Sequence, residues 1–228
     1  MKKILTFAIV VLMGMGAMAQ KSTLKTIRSV SEKSYFSFHW GFNNWGADHL
    51  SGLTGLSDAR YDLRTSFSSY QLSTGYNFIK TSHLEAGIGI GYESDVYKYN
   101  TPGVIYSDAV HDFIDVTPSS NDMSTKFCTR YVTLPVGIAY QTKDSGVKIR
   151  LSAIPGLGFT SKHTGLKFDD GSNVKRYSMK DALNPYKMDV RVDLMFGGVG
   201  VFLQVATMPL MNENFGQDLY PIKFGFVL

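Results

Sequence analysis

Large apolar side chains recur at every second position in eight separate segments of this chain. In the first segment the apolar positions are Phe36, Phe38, Trp40 and Phe42, with small or polar residues between them. A period of two places alternate residues on opposite faces of a β-strand. The alternation therefore predicts an all-β chain whose strands each have one apolar face and one polar face.

The same alternation predicts seven further strands. Their apolar faces run from Tyr70 to Phe78, Leu84 to Tyr92, Val132 to Tyr140, Val147 to Phe159, Met188 to Phe196, Val199 to Val205 and Tyr220 to Leu228. Within the fifth strand, Ile154-Pro155-Gly156 predicts a bulge, because proline cannot donate a hydrogen bond to a β-ladder.

Short and long connections alternate between the eight predicted strands. The short ones lie at 80–82, 143–145 and 197–198, and the long ones at 46–66, 100–126, 161–185 and 207–218. This alternation is typical of an up-and-down transmembrane barrel with short periplasmic turns and long external loops. We therefore expect an eight-stranded antiparallel β-barrel, and ten strands remain open if loop 46–66 or 100–126 contains another hairpin.

The two faces of the strands indicate a membrane barrel rather than a soluble one. The apolar face is continuous on all eight strands and carries Tyr or Phe near many strand ends, as an aromatic girdle would. Gly87, Gly89 and Gly91 lie on the opposite face, where small residues make room for long side chains in a narrow lumen. The alternative is a soluble lipocalin-like barrel whose apolar face is turned inward.

The N-terminus has the features of a secretory signal peptide. Lys2 and Lys3 precede an apolar run over 4–16, and Ala17-Met18-Ala19 is an A-x-A cleavage site. We expect a signal peptide at 1–19, a flexible lead at 20–33 and a barrel domain at 34–228. Together with the strand pattern, this predicts a bacterial outer-membrane protein with both barrel termini in the periplasm.

Charged residues on the polar faces predict a network inside the barrel. The candidates are Glu85, Arg150, Asp189, Arg191 and Asp193. An arginine facing lipid near the midplane would cost about 2–4 kcal/mol, whereas ion pairs in the lumen neutralise one another. Since eight strands leave a lumen that side chains fill, we expect a packed polar plug. The alternative is a narrow pore that selects an ion.

Little in the sequence points to catalysis, and we expect no enzyme and no cofactor. His49, His111 and His163 lie in predicted external loops, where a hydrolase or acyltransferase would place its residues, but spacing alone does not build a triad.

Metal, nucleic-acid and disulfide chemistry are not indicated either. The loop carboxylates lack the close spacing of a calcium loop, and the net charge of +4 comes from scattered basic residues. The single cysteine, Cys128, excludes an internal disulfide, and we expect a buried thiol. The carboxylates considered are Asp108, Asp112, Asp115 and Asp122.

Several segments together resemble the PorT-like family of small outer-membrane barrels of Bacteroidetes. They are Ala19-Gln20, the strand Tyr131-Val132-Thr133-Leu134-Pro135-Val136-Gly137, the region 190–210 ending in Met208-Pro209-Leu210, and the closing segment from Leu219 to Phe226. The resemblance implies a barrel or porin-like protein, with the family's namesake resembling an accessory of a protein-secretion system. It implies no catalytic residues.

These features predict a structural or interaction barrel more strongly than a narrow porin, a small-ligand barrel or an outer-membrane enzyme. Binding usually resides in loops on a rigid scaffold, so we expect a protein or surface ligand at loops 100–126 and 161–185. The other expected partners are outer-membrane lipid and the barrel-assembly machinery, which would recognise the C-terminal strand ending in Phe224, Phe226 and Leu228.

Overall fold

A computed structural model of the chain describes the strands and their closest connections. The described residues are 33–46, 63–64, 66–99, 104–107, 112–115, 124–142, 146–159, 165–169, 174–177, 182–213 and 218–228. The predicted signal peptide at 1–19 and nearly all of the predicted lead at 20–33 lie outside them. Among the described residues, no helix has the length and apolar character needed to cross a membrane.

The described part of the chain is almost entirely β-structure. The strands are β1 (Ser34–Gly46), β2 (Leu63–Arg64), β3 (Ser66–Lys80), β4 (Leu84–Tyr99), β5 (Val104–Ser107), β6 (Asp112–Asp115), β7 (Ser124–Thr133), β8 (Val136–Gln141), β9 (Val147–Gly158), β10 (Gly165–Asp169), β11 (Val174–Tyr177), β12 (Tyr186–Phe196), β13 (Val199–Ala206) and β14 (Tyr220–Val227).

The strands close into a barrel. Antiparallel pairing runs from β1 through β3, β4, β7 with β8, β9, β12 and β13 to β14, and β14 pairs back onto β1. In that closing pair, Trp40 lies opposite Phe226 and Phe42 opposite Phe224. Because β7 and β8 together form one wall strand, eight strands surround the lumen. The predicted fold class is confirmed.

The apolar faces of the wall point outward. Ile138 and Phe226 are 56% and 57% exposed, whereas Gln71, Ser73 and other polar residues of the opposite face are buried. The soluble alternative required the apolar face to line the interior, and that alternative is wrong. An apolar exterior around a polar interior is the arrangement of a transmembrane barrel.

The barrel has two different ends. We call the end with the short connections 81–83 and 197–198 the turn end, and the opposite end, where β1, β4, β9 and β13 finish, the loop end. At the turn end, Gly197 and Gly198 join β12 to β13 with φ angles of 57° and 99°, a left-handed conformation that suits a two-residue hairpin. Thr81 closes the turn before β4 through a 2.8 Å hydrogen bond from its backbone N–H to the carbonyl oxygen of Leu84. The predicted turn at 143–145 lies outside the described residues.

The bulge predicted at Ile154-Pro155-Gly156 is wrong. On β12, Asp189, Met188 and Lys187 pair in order with these three residues, without a shift in register. The backbone N–H of Leu134 donates to the carbonyl oxygen of Pro155 at 2.9 Å. The ladder therefore lacks only the one hydrogen bond that a backbone N–H at position 155 would have donated.

The true irregularities of the wall lie on β3. One register shift falls between Asn77 and Ile79 in the pairing with β4, and another accompanies Gly41 and Phe42 in the pairing with β1. The extra residue at the first shift leaves Phe78 and Ile79 both exposed on the outer surface. No proline or glycine lies between Asn77 and Ile79 on β3, so the chain carries no local signal for this bulge.

Two of the long loops contain hairpins, but neither hairpin enters the barrel. The strands β5 and β6 pair only with each other, in a sheet of their own. The hairpin of β10 and β11 continues the sheet beyond the end of β9 by pairing with β7. Among the described residues, the wall therefore has eight strands and not ten.

Two wall strands are longer than the sequence predicted. β4 continues past Glu93 to Tyr99, and β7 begins at Ser124 rather than at Tyr131. On these extensions the polarity of the two faces inverts, since Tyr97 and Phe127 are buried inside. The outward positions there are taken by residues such as Lys98 and Lys126, as suits a sheet that has left an apolar environment.

Candidate functional site

The lumen contains charged side chains in three layers, beginning near the turn end. In this first layer, Glu85 accepts hydrogen bonds from Lys148 at 2.9 Å and from Arg150 at 3.3 Å. The guanidinium of Arg150 lies 4.9 Å from the centre of the Tyr35 ring, within the range of a cation–π contact. The layer joins β4 to β9 and β1 across the interior.

Arg191 is the centre of the second layer and is 2% exposed. It donates through Nη1 to Oε1 of Gln71, whose amide nitrogen donates to Oγ1 of Thr133 at 3.2 Å. Its Nε atom lies 3.0 Å from Oδ1 of Asp193, and Nε2 of His39 lies 3.3 Å from the same oxygen. This layer fills the middle of the barrel with polar contacts from four strands, β1, β3, β7 and β12.

The third layer lies nearer the loop end. Nζ of Lys223 is 2.5 Å from Oε1 of Glu93 and 2.6 Å from Oδ2 of Asp95. Lys187 contacts the same Glu93 oxygen and lies 2.6 Å from Oδ2 of Asp189. Both carboxylates on β4 are thereby neutralised from the opposite side of the barrel.

Among the described lumen residues, the charges are balanced. Each carboxylate in the three layers lies within ion-pair distance of a basic side chain or of His39. A buried charge without such a partner would be strongly destabilising. The carboxylates are Glu85, Glu93, Asp95, Asp189 and Asp193, and the cations are Lys148, Arg150, Lys187, Arg191 and Lys223.

The structure places all five sequence-predicted lumen residues inside the barrel, but in different layers. Glu85 and Arg150 share the first layer, Arg191 and Asp193 the second, and Asp189 belongs to the third. The predicted set therefore has members that do not contact one another.

Sequence reasoning did not select several of the residues that complete the lumen. Glu93, Lys187 and Lys223 stand on polar faces that the alternation had identified, so their signal was present in the sequence. Asp95 was missed because the third strand was expected to end at Glu93.

Between the described side chains of the three layers, little space remains. Beside Asp95 and Lys223, and again beside Arg191, the remaining cavities measure about 10 Å³ each. A cavity of that size holds about one water molecule. A larger cavity of about 200 Å³ opens at the turn end, lined by residues that include Lys80, Glu85 and Lys148. The lumen is thus a vestibule at the turn end and a packed interior above it.

Apolar residues cap the lumen at the loop end. Phe127 and Leu219 are fully buried, and the rings of Phe127 and Tyr97 lie 6.0 Å apart. Leu183 forms an isolated β-bridge with Met211, which holds the segment after β13 against the segment before β12. This cap covers the third charged layer on the side away from the vestibule.

Glycines on the inner face make room for side chains from neighbouring strands. An added Cβ at Gly89 would lie 2.7 Å from the hydroxyl oxygen of Tyr35, and one at Gly91 would lie 2.7 Å from Oγ1 of Thr133. The same Cβ atoms would also lie 2.8 Å from the carbonyl oxygen of Thr74 and 2.9 Å from that of Leu72, and because backbone atoms cannot move aside as a side chain can, both positions favour glycine. The structure thereby confirms the predicted role of the inward glycines.

The other sequence candidates contribute no described site. His49, His111, His163, Asp108 and Asp122 lie outside the described residues.

On β6, only the backbone positions of Asp112 and Asp115 are described. Cys128 lies on the outward face of β7 and is half-buried, so the prediction of a buried thiol is wrong. It faces outward because its neighbours Phe127 and Thr129 face the interior.

Comparisons with known proteins show structural similarity but no family. No protein-family model matches the chain, and no curated protein matches it. A solved structure with a similar chain path is Ail, the attachment invasion locus protein of Yersinia pestis. The two chains are 12% identical, the match covers 86% of this chain and 98% of that one, and the TM-score is 0.37. A similarity at this level does not assign a function, and the PorT-like resemblance stays a prediction.

Proposed function

We propose that the protein is an integral outer-membrane barrel of a bacterium, exported by the segment 1–19. Support comes from the apolar outer face, which would cost free energy in water and is stabilised by lipid. In this proposal the turn end faces the periplasm and both barrel termini lie on that side, since short turns are typical of the periplasmic end of such barrels.

Within that membrane, we propose an interaction barrel rather than a pore. The packed interior carries this proposal, since its charges pair with one another instead of lining a water-filled path. Arg191 in the middle layer and Lys223 in the third layer are both buried and contact residues from distant strands. Conduction would require these contacts and the apolar cap above them to separate.

The binding surface in this proposal is the loop end. The loops 100–126 and 161–185 each contain a hairpin, which gives a partner an ordered edge to contact. The partner class we favour is a protein, and the PorT-like resemblance supports a component of a secretion system. The barrel needs no cofactor and catalyses no reaction in this proposal. Its strand β14 is the element that the barrel-assembly machinery would recognise.

Membrane insertion and closure are tested first. We expect the protein in the outer-membrane fraction, with a band on SDS gels that shifts on boiling because a closed barrel resists unfolding by detergent. In planar bilayers we expect no stepwise conductance from the folded protein. Recovery as a soluble periplasmic protein would overturn the membrane location, and reproducible conductance steps would replace the interaction barrel with a narrow pore.

The role of the loops is tested by shortening each one separately. Residues 104–115, and in a second variant residues 165–177, are replaced by a short Gly-Ser linker, and the boiling shift confirms that the barrel still forms. We expect cross-linked protein partners and secretion of exported cargo to depend on at least one loop. Unchanged cross-links and unchanged secretion in both variants would contradict the proposal.

A further inference from the structure

The outer surface of the barrel carries two lysines directly opposite each other beyond the apolar belt. Lys98 on β4 is the register partner of Lys126 on β7. Both are half-buried on the outward face, since Tyr97 and Phe127 beside them face inward. Like charges directly opposite on neighbouring strands destabilise a sheet, so this pair is unfavourable unless an anion lies between the two ammonium groups.

The backbone register extends this pair into a row across five strands. Arg64 on β2 is the partner of Lys98, Lys167 on β10 is the partner of Lys126, and Arg176 on β11 is the partner of Lys167. Lys and Arg make up only 23 of the 228 residues, so a row with a basic residue at every position is unexpected by chance. At about 4.8 Å between strands, the row spans about 19 Å.

Acidic residues do not neutralise the described part of this row. The carboxylates of Glu93 and Asp95, the nearest on β4, face the lumen and pair there with Lys223. Among the described residues, no carboxylate lies within ion-pair distance of Lys98 or Lys126. Within the part of the chain whose side chains are described, Lys98 and Lys126 therefore have positive charge available for a ligand from outside the barrel.

A cluster of aromatic side chains on the outer face gives the height of the row above the membrane–water interface. The rings of Tyr70 and Phe159 lie 6.1 Å and 6.0 Å from that of Tyr92, on the outer face where tyrosines mark the membrane–water interface. Lys98 follows Tyr92 by six positions, about 20 Å along the strand. With a strand tilt of roughly 40°, this is about 15 Å farther from the bilayer centre.

Arg130 lies between these two levels, also on the outward face. It is the register partner of Ser94, two positions beyond Tyr92. The outer face thus carries Arg130 close to the interface, and Lys98 and Lys126 well above it. A phospholipid headgroup reaches only the lower level, whereas a glycolipid with a large phosphorylated saccharide head reaches both.

We propose that the row centred on Lys98 and Lys126 binds the phosphorylated saccharide head of the glycolipid in the outer leaflet. This inference rests on the proposed outer-membrane location, with the loop end outside. The glycolipid phosphates neutralise the opposed lysines, and the contact fixes the height and rotation of the barrel in the leaflet. The attraction weakens as salt is added, because the charges lie at the surface.

The test uses folded barrel in detergent, titrated with fluorescent rough-type lipopolysaccharide that carries phosphates on its inner-core saccharide as well as on lipid A. We expect the double variant Lys98→Gln/Lys126→Gln to bind about 10- to 30-fold more weakly than the native protein. The matched control is Lys33→Gln/Lys80→Gln, which removes the same charge at the turn end and should bind as the native protein does. The variant Lys98→Arg/Lys126→Arg keeps the charge and should retain binding.

Two further titrations identify the ligand. Dephosphorylated lipopolysaccharide should bind the native protein as weakly as intact lipopolysaccharide binds the Gln variant, and heparin should bind more weakly than the intact glycolipid. Equal affinity of the Gln variant and the native protein, binding that survives dephosphorylation, or tighter binding of heparin would each overturn the inference. The boiling shift shows that each variant is folded. Because the titration needs neither conductance nor a protein partner, its failure is distinguishable from failure of the proposed function.

Discussion

The Nζ atom of Lys223 lies 2.6 Å from Oδ2 of Asp95, although their strands are not neighbours in the barrel wall. β14 and β4 are separated by β1 and β3, so this ion pair crosses the lumen. Glu93 shares the same ammonium group. One buried lysine therefore joins two carboxylates to the far wall and fixes the packing of the third layer.

Replacement of Lys223 by methionine should destabilise the barrel strongly. The variant keeps most of the side-chain volume but leaves Asp95 without its ion pair and Glu93 with Lys187 as its one cationic partner among the described residues. Breaking a buried pair by removing one partner costs about 3–5 kcal/mol. Urea unfolding of the protein in lipid vesicles, followed by tryptophan fluorescence and the boiling shift, measures this cost.

A second substitution separates lost charge balance from lost packing. Adding Asp95→Asn to Lys223→Met removes one uncompensated carboxylate, so the double variant should be more stable than Lys223→Met alone. As a control, Lys80→Met at the exposed end of β3 should change stability little. If Lys223→Met and Lys80→Met unfolded at the same urea concentration, the ion pair across the lumen would not contribute much to the free energy of unfolding.

Gly89→Ala should destabilise the barrel by about 1–3 kcal/mol, the usual cost of overpacking. The new methyl group would lie 2.7 Å from the Tyr35 hydroxyl and 2.8 Å from the carbonyl oxygen of Thr74. In a Tyr35→Phe background the first contact is relieved and the second remains, so the alanine should cost less there. The same urea titration measures the four proteins, and additive effects would show that Tyr35 and Gly89 do not interact.

The boundary of the apolar belt can be located on one face of one strand. Ile88 is 47% exposed in the middle of the apolar belt on β4, and Val96 lies on the same face eight positions nearer the loop end. We expect Ile88→Arg to cost about 2–4 kcal/mol in vesicles, as for arginine near the bilayer midplane, and Val96→Arg to cost much less. Equal costs at the two positions would contradict a membrane boundary between them.

The orientation of the barrel can be read from its natural cysteine. Cys128 is half-buried on the outer face beyond the belt, at the loop end. A membrane-impermeant maleimide should label it on intact cells, and Cys128→Ser should abolish the labelling. In the Cys128→Ser background, Ser82→Cys at the turn end should react only after the outer membrane is permeabilised. The reverse pattern would place the loop end in the periplasm.

The architecture could be read from local patterns. Strands such as 188–196 alternate so regularly that any pairing partner would leave their apolar residues on one face. The alternation of short and long connections then predicted an up-and-down order of the strands around the barrel, and the inward glycines indicated a narrow lumen. These properties depend on residues close together in the chain, so one sequence is enough to recognise them.

The longer extent of β4 and β7 was missed because polarity inverts along them. Inside the belt an outward residue such as Ile90 meets an apolar surrounding, whereas beyond it Lys98 faces outward and Tyr97 faces inward. A search for continuous alternation with the apolar face on one side ends where that inversion occurs. The unshifted register at Pro155 was missed for a different reason, since a strand tolerates one absent hydrogen bond when its neighbour still supplies the other.

Local alternation in the chain predicted an antiparallel barrel with one apolar face on each strand, and the structure settled eight wall strands against ten and turned the apolar faces outward. Contacts across the lumen, such as Lys223 with Asp95, and rows across strands, such as Lys98 with Lys126, came from the tertiary structure alone. The physical reason is that the period of a strand is local, whereas strand register and contacts across a lumen join residues distant in the chain. Those relationships exist only after the sheet has closed.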